Sequence, residues 1–127
     1  MNKRDLGNSM EKVAADYLVS QGLKIVERNY RCRIGEIDII AVEENEAERN
    51  PYDRRKTYVF VEVKYRKDAK KGLPYEAVDY KKRNKIINVA RFYGMTKGGL
   101  DGYNIRFDVI SILDNEITWY KNAFMSE

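Results

Sequence analysis

The chain has 127 residues, of which 24 are Lys or Arg and 20 are Asp or Glu, giving a formal net charge of +4. Its single Cys excludes an internal disulfide or a multi-cysteine zinc cluster, and the lack of His excludes histidine-assisted nucleophilic catalysis and histidine-bound zinc. Asp, Glu, Lys and Tyr remain for acid–base or metal chemistry. A chain of this length is expected to form one domain, residues 1–127.

The N-terminal segment is polar, and no uninterrupted apolar run in the sequence exceeds four residues. We therefore expect neither a signal peptide nor a membrane span. The low cysteine content favours a reducing compartment. Together these observations predict a cytoplasmic protein.

Apolar residues recur at the spacing of one helical face between Ser9 and Gln21. Asn8 or Ser9 is available as the N-cap of this helix, and Gly22 is placed to end it. Branched and aromatic residues mixed with charges then predict three strands, over residues 23–33, 36–43 and 57–66. Between the second and third strands, the polar residues 44–56 predict a long hairpin loop.

The second half of the chain predicts one helix and two more strands. The helix extends from Pro74, which suits a first helical turn, to Tyr93, and Gly94 is placed to end it. The strands cover Asn104–Leu113 and Glu116–Tyr120 and form a hairpin. The resulting order, α-β-β-β-α-β-β, indicates an open mixed sheet in an α/β or α+β sandwich.

Charged residues interrupt the two most apolar predicted strands. The second strand carries Glu36 and Asp38, and the third carries Glu62 and Lys64. An antiparallel hairpin with its turn near Asn50 places Asp38 opposite Glu62. The same register places Glu36 opposite Lys64, so that all four side chains project from one face of the sheet.

Two carboxylates held this close repel each other unless a cation lies between them. Mg²⁺ typically binds one or two carboxylates, so Asp38 and Glu62 are candidate ligands, with Mn²⁺ as an alternative metal. The carbonyl of Val63 is a third candidate, and Lys64 would orient the attacking water and neutralise a phosphate. An ordinary half-exposed strand with salt bridges is the alternative, and for Glu36 a salt bridge to Lys64 is the favoured role.

Positive charge is concentrated after the third strand, because residues 64–91 hold ten basic and three acidic residues. A basic segment next to carboxylates favours a surface that holds phosphates beside a metal, although a solvated helix face explains the same pattern. On the first interpretation, the residues that track a phosphate backbone are Arg66, Lys67, Lys70, Lys71, Lys81, Lys82, Arg83 and Lys85.

Taken together, these segments resemble the YraN-like family of predicted endonucleases. These are small members of the PD-(D/E)xK nuclease superfamily, related to the archaeal Holliday junction resolvases. The matching text includes Arg28-Asn29-Tyr30-Arg31, Gly35-Glu36-Ile37-Asp38-Ile39-Ile40-Ala41, Val59-Phe60-Val61-Glu62-Val63-Lys64-Tyr65-Arg66 and Ile105-Arg106-Phe107-Asp108-Val109. Within the last of these segments, Asp108 is expected to form a salt bridge.

The resemblance implies a restriction-endonuclease-like αβββαβ core, with a central mixed sheet flanked by helices and an extra C-terminal strand. It assigns catalysis to Asp38, Glu62 and Lys64. It also adds Glu11 of the first helix to the metal site; family members usually have a glycine directly before this glutamate, where this chain has Met10. Relatedness to resolvases implies a homodimer.

The first functional hypothesis is a Mg²⁺-dependent endonuclease that acts on branched or otherwise structured DNA in repair, recombination or uptake. A second hypothesis is a nucleic-acid-binding module that kept the nuclease scaffold but does not cut, and a third is an RNA-directed nuclease. The presence of both carboxylates and the lysine counts against the second, since a pure binder gains nothing from two acids in the path of phosphates.

Overall fold

The structure is a computed structural model that describes residues 2–44, 56–70, 72, 78–100 and 103–125. Within these residues the chain forms the helices α1 (Lys3–Ser20) and α2 (Tyr80–Thr96) and the strands β1 (Lys24–Cys32), β2 (Gly35–Glu43), β3 (Thr57–Arg66), β4 (Asn104–Leu113) and β5 (Glu116–Phe124). The predicted order of elements is confirmed. The predicted loop over residues 44–56 lies almost entirely outside the described residues.

The five strands form one sheet in the order β1-β2-β3-β4-β5. Strands β3 and β4 are parallel, and the other neighbouring pairs are antiparallel. A parallel pair requires a crossover connection, and α2 lies in the segment that connects β3 to β4. This mixed α/β sheet is consistent with the expected restriction-endonuclease-like core, and β5 is its extra C-terminal strand.

The helices cover opposite faces of the sheet. On one face α1 packs over β1, β2 and β3, and the core on this side extends to β4, with buried residues that include Ala14, Leu18, Ile39, Val59 and Ile110. On the other face α2 packs over β2, and the core on this side extends to β3, β4 and β5, with buried residues that include Ile86, Tyr93, Ile40, Phe60 and Phe107. Each fully buried Val, Leu, Ile or Phe side chain contributes about 1.5–3 kcal/mol by leaving water. Two separate cores therefore hold the helices in place.

Helix α1 begins at Lys3, so the predicted start at Ser9 is wrong. Asn2 is the N-cap, and its side chain accepts a hydrogen bond from the N–H of Asp5 at 2.8 Å. The predicted cap Asn8 lies inside the helix. The early turns are mostly exposed and carry no apolar stripe, so the spacing of apolar residues gave no sign of them.

Helix α2 begins at Tyr80 and not at Pro74, which lies outside the described residues. Asp79 is the N-cap, because its carboxylate accepts a hydrogen bond from the N–H of Lys82 at 2.9 Å. The described residue Val78 is not helical. A capping side chain therefore sets the start of this helix, and proline does not.

Gly94 does not end α2, because the helix continues to Thr96. The side chain of Leu100 lies so close to Gly94 that an added Cβ would be 3.2 Å from its Cγ. Strand β5 also continues past the predicted end at Tyr120 to Phe124, whose ring stacks on Phe107 with centroids 5.1 Å apart. Tertiary packing extends both elements beyond their sequence signals.

No helix among the described residues combines the length and the apolar character needed to cross a membrane.

Candidate functional site

Strands β2 and β3 pair in the predicted register from Ile39 with Val61 to Glu43 with Thr57. Toward Asp38 the described pairing ends, and a pocket of about 240 Å³ lies at this end of the sheet. Its lining comes from α1, β2, β3 and α2: Gly7, Met10, Glu11, Glu36, Asp38, Glu62, Val63, Lys64, Tyr65 and Lys82. The structure thus brings together every residue that was predicted for the catalytic and metal site.

Side-chain alternation along β2 breaks next to Asp38. Ile39 packs in the α1 core, whereas Ile37, two positions earlier, packs in the α2 core, and a regular strand would place both on one face. On β1 the residue between the partners of Ile37 and Ile39 is Asn29, which has a positive φ of 53°. A left-handed residue in an edge strand redirects the chain. The prediction that all four charged side chains share one face is therefore too simple.

The carboxylate of Asp38 points to the neighbouring strand. Its Oδ2 accepts a hydrogen bond from the main-chain N–H of Val63 at 2.8 Å, a role that a strand carbonyl fills in a regular antiparallel pair. Burial, followed by the negative charge of Glu62, raises the pKa of Asp38 to about 8. The hydrogen bond from Val63 and the charge of Lys64 oppose this rise. Asp38 is held in place, but its negative charge is poorly compensated.

Glu62 is buried between two lysines. Its side chain is 5% exposed, and its Oε1 lies 3.3 Å from Nζ of Lys64 and 3.6 Å from Nζ of Lys82. The predicted salt bridge between Glu36 and Lys64 is wrong, because Glu36 instead pairs with Nε of Arg31 at 3.1 Å. The cause is the separation of β2 from β3, which leaves Lys64 next to the carboxylate on its own strand.

Glu11 enters the pocket from α1. It is 9% exposed, and its Oε1 is buried without a hydrogen-bond partner in the described part of the chain. Burial raises the pKa of Glu11, with contributions from the charges of Glu36 and Glu62, and Arg28 partly opposes the rise. An unpaired buried carboxylate oxygen costs about 1–3 kcal/mol or more. Met10, the residue directly before Glu11, lines the same pocket and does not displace Glu11 from it.

Among the described residues no three Asp, Glu or Cys side chains form a group that is arranged to hold a metal. The pocket does contain the oxygen donors that hard cations prefer, contributed by Asp38, Glu62 and Glu11. Their chemistry suits Mg²⁺ or Mn²⁺ better than a soft metal.

Lys82 belongs to the pocket as well as to the basic segment. It precedes Ile86 by four residues, which places it on the face of α2 that packs against the sheet. A lysine on an otherwise apolar helix face was the sequence signal for this position. From the sequence, Lys82 is predicted only to contact phosphate.

The other predicted phosphate-binding residues have different surroundings. Lys67, Lys70, Lys81 and Lys85 are exposed, and Lys71 lies outside the described residues. Arg66 is half-buried, and it donates a hydrogen bond from its guanidinium to the carbonyl of Tyr65 at 3.3 Å.

Arg83 has a structural role that the charge pattern did not indicate. Its Nε donates a hydrogen bond to the carbonyl of Val78 at 2.9 Å, and its guanidinium lies 5.7 Å from the ring centroid of Phe124. These contacts hold the start of α2 against the end of β5. Arg83 lines a different cavity from the one that contains Asp38.

Another buried carboxylate, that of Asp108 on β4, lies outside this pocket and is completely buried. It accepts four hydrogen bonds, from Nε and Nη2 of Arg106, Nε1 of Trp119 and the main-chain N–H of Asn122, at 2.8–2.9 Å. The expected salt bridge is confirmed. Arg106 also pairs with Glu43 at 2.8 Å, which joins β2 to β4 at the end of the sheet away from the pocket.

Comparison with known proteins places this arrangement in a family. Residues 10–112 match the model described as "Uncharacterised protein family UPF0102". A UPF0102 protein of Clostridioides difficile is 48% identical over 126 residues, which cover 98% of this chain and 100% of the relative. One from Fusobacterium nucleatum is 44% identical over 122 residues, covering 96% and 92%. The chain therefore belongs to the UPF0102 family, the YraN-like family that its motifs resemble.

Proposed function

We propose that this protein is a metal-dependent endonuclease that hydrolyses phosphodiester bonds of DNA in the cytoplasm. The observation that carries the proposal is the convergence of Asp38, Glu62 and Lys64 in one pocket where β2 and β3 separate. A role in repair, recombination or uptake, with a branched or otherwise structured DNA as substrate, rests on the resemblance to resolvases. So does assembly as a homodimer, which sedimentation analysis tests directly.

Asp38 and Glu62 would hold Mg²⁺ or Mn²⁺, with the carbonyl of Val63 and the carboxylate of Glu11 as further ligands. A bound divalent ion supplies charge stabilisation for a phosphoryl oxygen and a more acidic water. Two features of the chain support this assignment. The negative charge of Asp38 is poorly compensated by its surroundings, and Glu11 has a buried oxygen without a partner among the described residues.

The lysines of the pocket would act on the substrate. Lys64 is a donor whose ammonium can bind an oxygen of the scissile phosphate and offset the charge that develops there. Its position 3.3 Å from Glu62 fixes the ammonium beside the proposed metal ligands. Lys82 reaches the same carboxylate from α2 and would hold Glu62 in place in the free protein. Together, Lys64 and Lys82 keep the buried carboxylate of Glu62 from being an unpaired charge.

DNA outside the pocket would be held through its phosphates. The residues we assign to this role are Arg66, Lys67, Lys70, Lys71, Lys82 and Lys85. Lys81 is exposed but lines neither this pocket nor the cavity that contains Lys85, so it would add only long-range attraction. Phosphate contacts of this kind give affinity and orientation without reading the base sequence. Arg83 is left out because it already binds a main-chain carbonyl and lies over Phe124.

The decisive experiment measures cleavage of labelled duplex, single-stranded, flap and four-way-junction DNA, and of matched RNA, with Mg²⁺, Mn²⁺ or EDTA. We expect metal-dependent cutting of DNA that Asp38→Asn and Glu62→Gln slow by at least about 100-fold. Glu36→Gln is the matched control, because Glu36 lines the same pocket but pairs with Arg31. An undiminished cleavage rate in either of the first two variants contradicts the proposal.

Two other results would favour the competing hypotheses. Tight DNA binding without cutting under any metal condition favours a binding module on a nuclease scaffold. Cutting of RNA with DNA left intact favours an RNA-directed nuclease. Calorimetric titration with Mn²⁺ adds a readout that needs no substrate, and we expect heat of binding for the wild type and its loss in Asp38→Asn.

A further inference from the structure

A second cavity, of about 460 Å³, adjoins the pocket that contains Asp38. Its lining includes Arg31, Gly35, Glu36, Lys82 and Lys85. Two of these residues, Glu36 and Lys82, also line the pocket around Asp38, so the two cavities are neighbours that share these side chains. We call this second cavity the lateral groove.

The lateral groove is positively charged on the side of α2. Glu36 is its acid and is paired with Arg31 at 3.1 Å, while Lys82 reaches toward Glu62 at the boundary with the pocket. Lys85 has no ion-pair partner within the residues that the structure describes, and it is exposed to solvent. An exposed ammonium without an ion-pair partner, in a groove next to the pocket that holds the carboxylates, is suited to bind a phosphate.

Gly35 gives Lys85 its position. A Cβ built on Gly35 would lie 3.0 Å from Cε of Lys85 and 3.3 Å from Cγ2 of Val89. The absence of a side chain at this point therefore leaves room for the aliphatic part of Lys85 to lie against the start of β2. The φ of Gly35 is not in the left-handed region, so a side chain added here would act by displacing Lys85 and Val89 and not by straining the backbone.

We propose that Arg31, Lys82 and Lys85 form a phosphate subsite in the lateral groove. It would hold a backbone phosphate of the same DNA strand whose neighbouring phosphodiester lies in the pocket of Asp38. The subsite rests on the proposed DNA substrate. It adds to that proposal a defined position for one phosphate, between two cations of α2 and one of β1. Lys81, which lies outside the groove, would contribute only diffuse attraction.

The test compares Lys85→Ala with Lys81→Ala. Both variants remove one exposed lysine from the same stretch of α2, but Lys81 does not line the groove. Binding of fluorescein-labelled single-stranded and duplex DNA is measured by anisotropy in EDTA over a range of salt concentrations. We expect Lys85→Ala to weaken binding roughly tenfold and to lower the salt slope by about one, with about twofold or less for Lys81→Ala.

A second variant tests the position of Lys85 without a change in charge. Gly35→Ala should weaken binding at least about threefold, and the double variant with Lys85→Ala should be no weaker than Lys85→Ala alone. Thermal melting checks that each variant folds. Equal losses for Lys85→Ala and Lys81→Ala, or fully additive effects in the double variant, overturn the subsite.

Because binding in EDTA needs no cleavage, the two proposals fail separately. If the protein never cuts but Lys85→Ala selectively lowers its affinity for DNA, the subsite proposal stands and the nuclease proposal fails. If the protein cuts with metal but Lys85→Ala and Lys81→Ala lower its affinity equally, the nuclease proposal stands and the subsite proposal fails.

Discussion

Two buried acidic regions of this sheet differ in how their charges are satisfied. Asp108 is 0% exposed and accepts four hydrogen bonds, two of them from the guanidinium of Arg106. In the pocket at the other end, Asp38 accepts one described hydrogen bond and Glu11 has an oxygen without a described partner. A fully satisfied network stabilises a fold, whereas buried acids left short of partners indicate a site that binds something else.

The largest expected effect is on the satisfied network. Asp108→Ala leaves the guanidinium of Arg106 and the indole N–H of Trp119 short of a partner inside the protein, so we expect a loss of about 3–5 kcal/mol in unfolding free energy. Chemical denaturation measures this loss. Asp16→Asn is the control, because Asp16 forms an exposed pair with Lys12 that is worth about 0.5 kcal/mol or less. Comparable losses in both variants would contradict the assignment of Asp108 as a structural group.

The next effect separates stability from activity. Glu62→Gln should lower the cleavage rate by roughly 100- to 1000-fold, because it removes a proposed metal ligand and the charge that positions Lys64. Its unfolding free energy in EDTA should change far less than that of Asp108→Ala. Single-turnover cleavage and denaturation of the same preparation give both values. A variant that unfolds as readily as Asp108→Ala would show that Glu62 has a structural role as well.

The third prediction concerns pH in the metal-free protein. The pKa of Asp38 is raised to about 8 from 3.8. Between these values the folded state binds more protons than the unfolded state, so stability falls as pH rises from about 4 to 8. Asp38→Asn removes this dependence. We therefore expect its melting temperature in EDTA to match the wild type near pH 4 and to exceed it increasingly toward pH 8.

The control for this pH series is added metal. Saturating Mn²⁺ should restore wild-type stability at high pH, because a cation favours the ionised carboxylate, and it should leave Asp38→Asn unchanged. Parallel melting curves for the two proteins across the pH range in EDTA would contradict the raised pKa of Asp38.

The smallest expected effect is at Glu11. Glu11→Met replaces a buried carboxylate that has an unpaired oxygen with an apolar side chain of similar length, and we expect a gain of about 1–2 kcal/mol in unfolding free energy in EDTA. Denaturant titration measures the gain. Destabilisation of the size expected for Asp108→Ala would mean that Glu11 has a partner that supports the fold.

Most of the secondary structure could be predicted because hydrophobic periodicity is local. The spans of β3 and β4 agree with the alternating and apolar runs at 57–66 and 104–113, since burial on a sheet leaves a direct pattern in the sequence. Helix starts were less predictable. Asn2 and Asp79 cap the helices through single side-chain hydrogen bonds, and many exposed Asn or Asp residues could do the same.

The register of β2 and β3 could also be predicted, because placing the hairpin turn near Asn50 fixes which residues of the two strands lie opposite each other. The partners of the charged residues could not. Glu36 pairs with Arg31 on β1, and Lys82 reaches Glu62 from α2, so both contacts depend on elements outside the β2–β3 hairpin.

By itself the sequence determined the order of the elements, the strands that carry Asp38, Glu62 and Lys64, and the exclusion of histidine chemistry, because composition and periodicity are properties of the chain alone. Only the tertiary structure decided that β2 and β3 separate at Asp38, that Glu11 is buried with an oxygen left unpaired, and that Arg83 supports the fold. These outcomes depend on how two helices pack on opposite faces of one sheet. The distances between charged groups and their desolvation, which decide whether each group is ionised and paired, are fixed only by that packing.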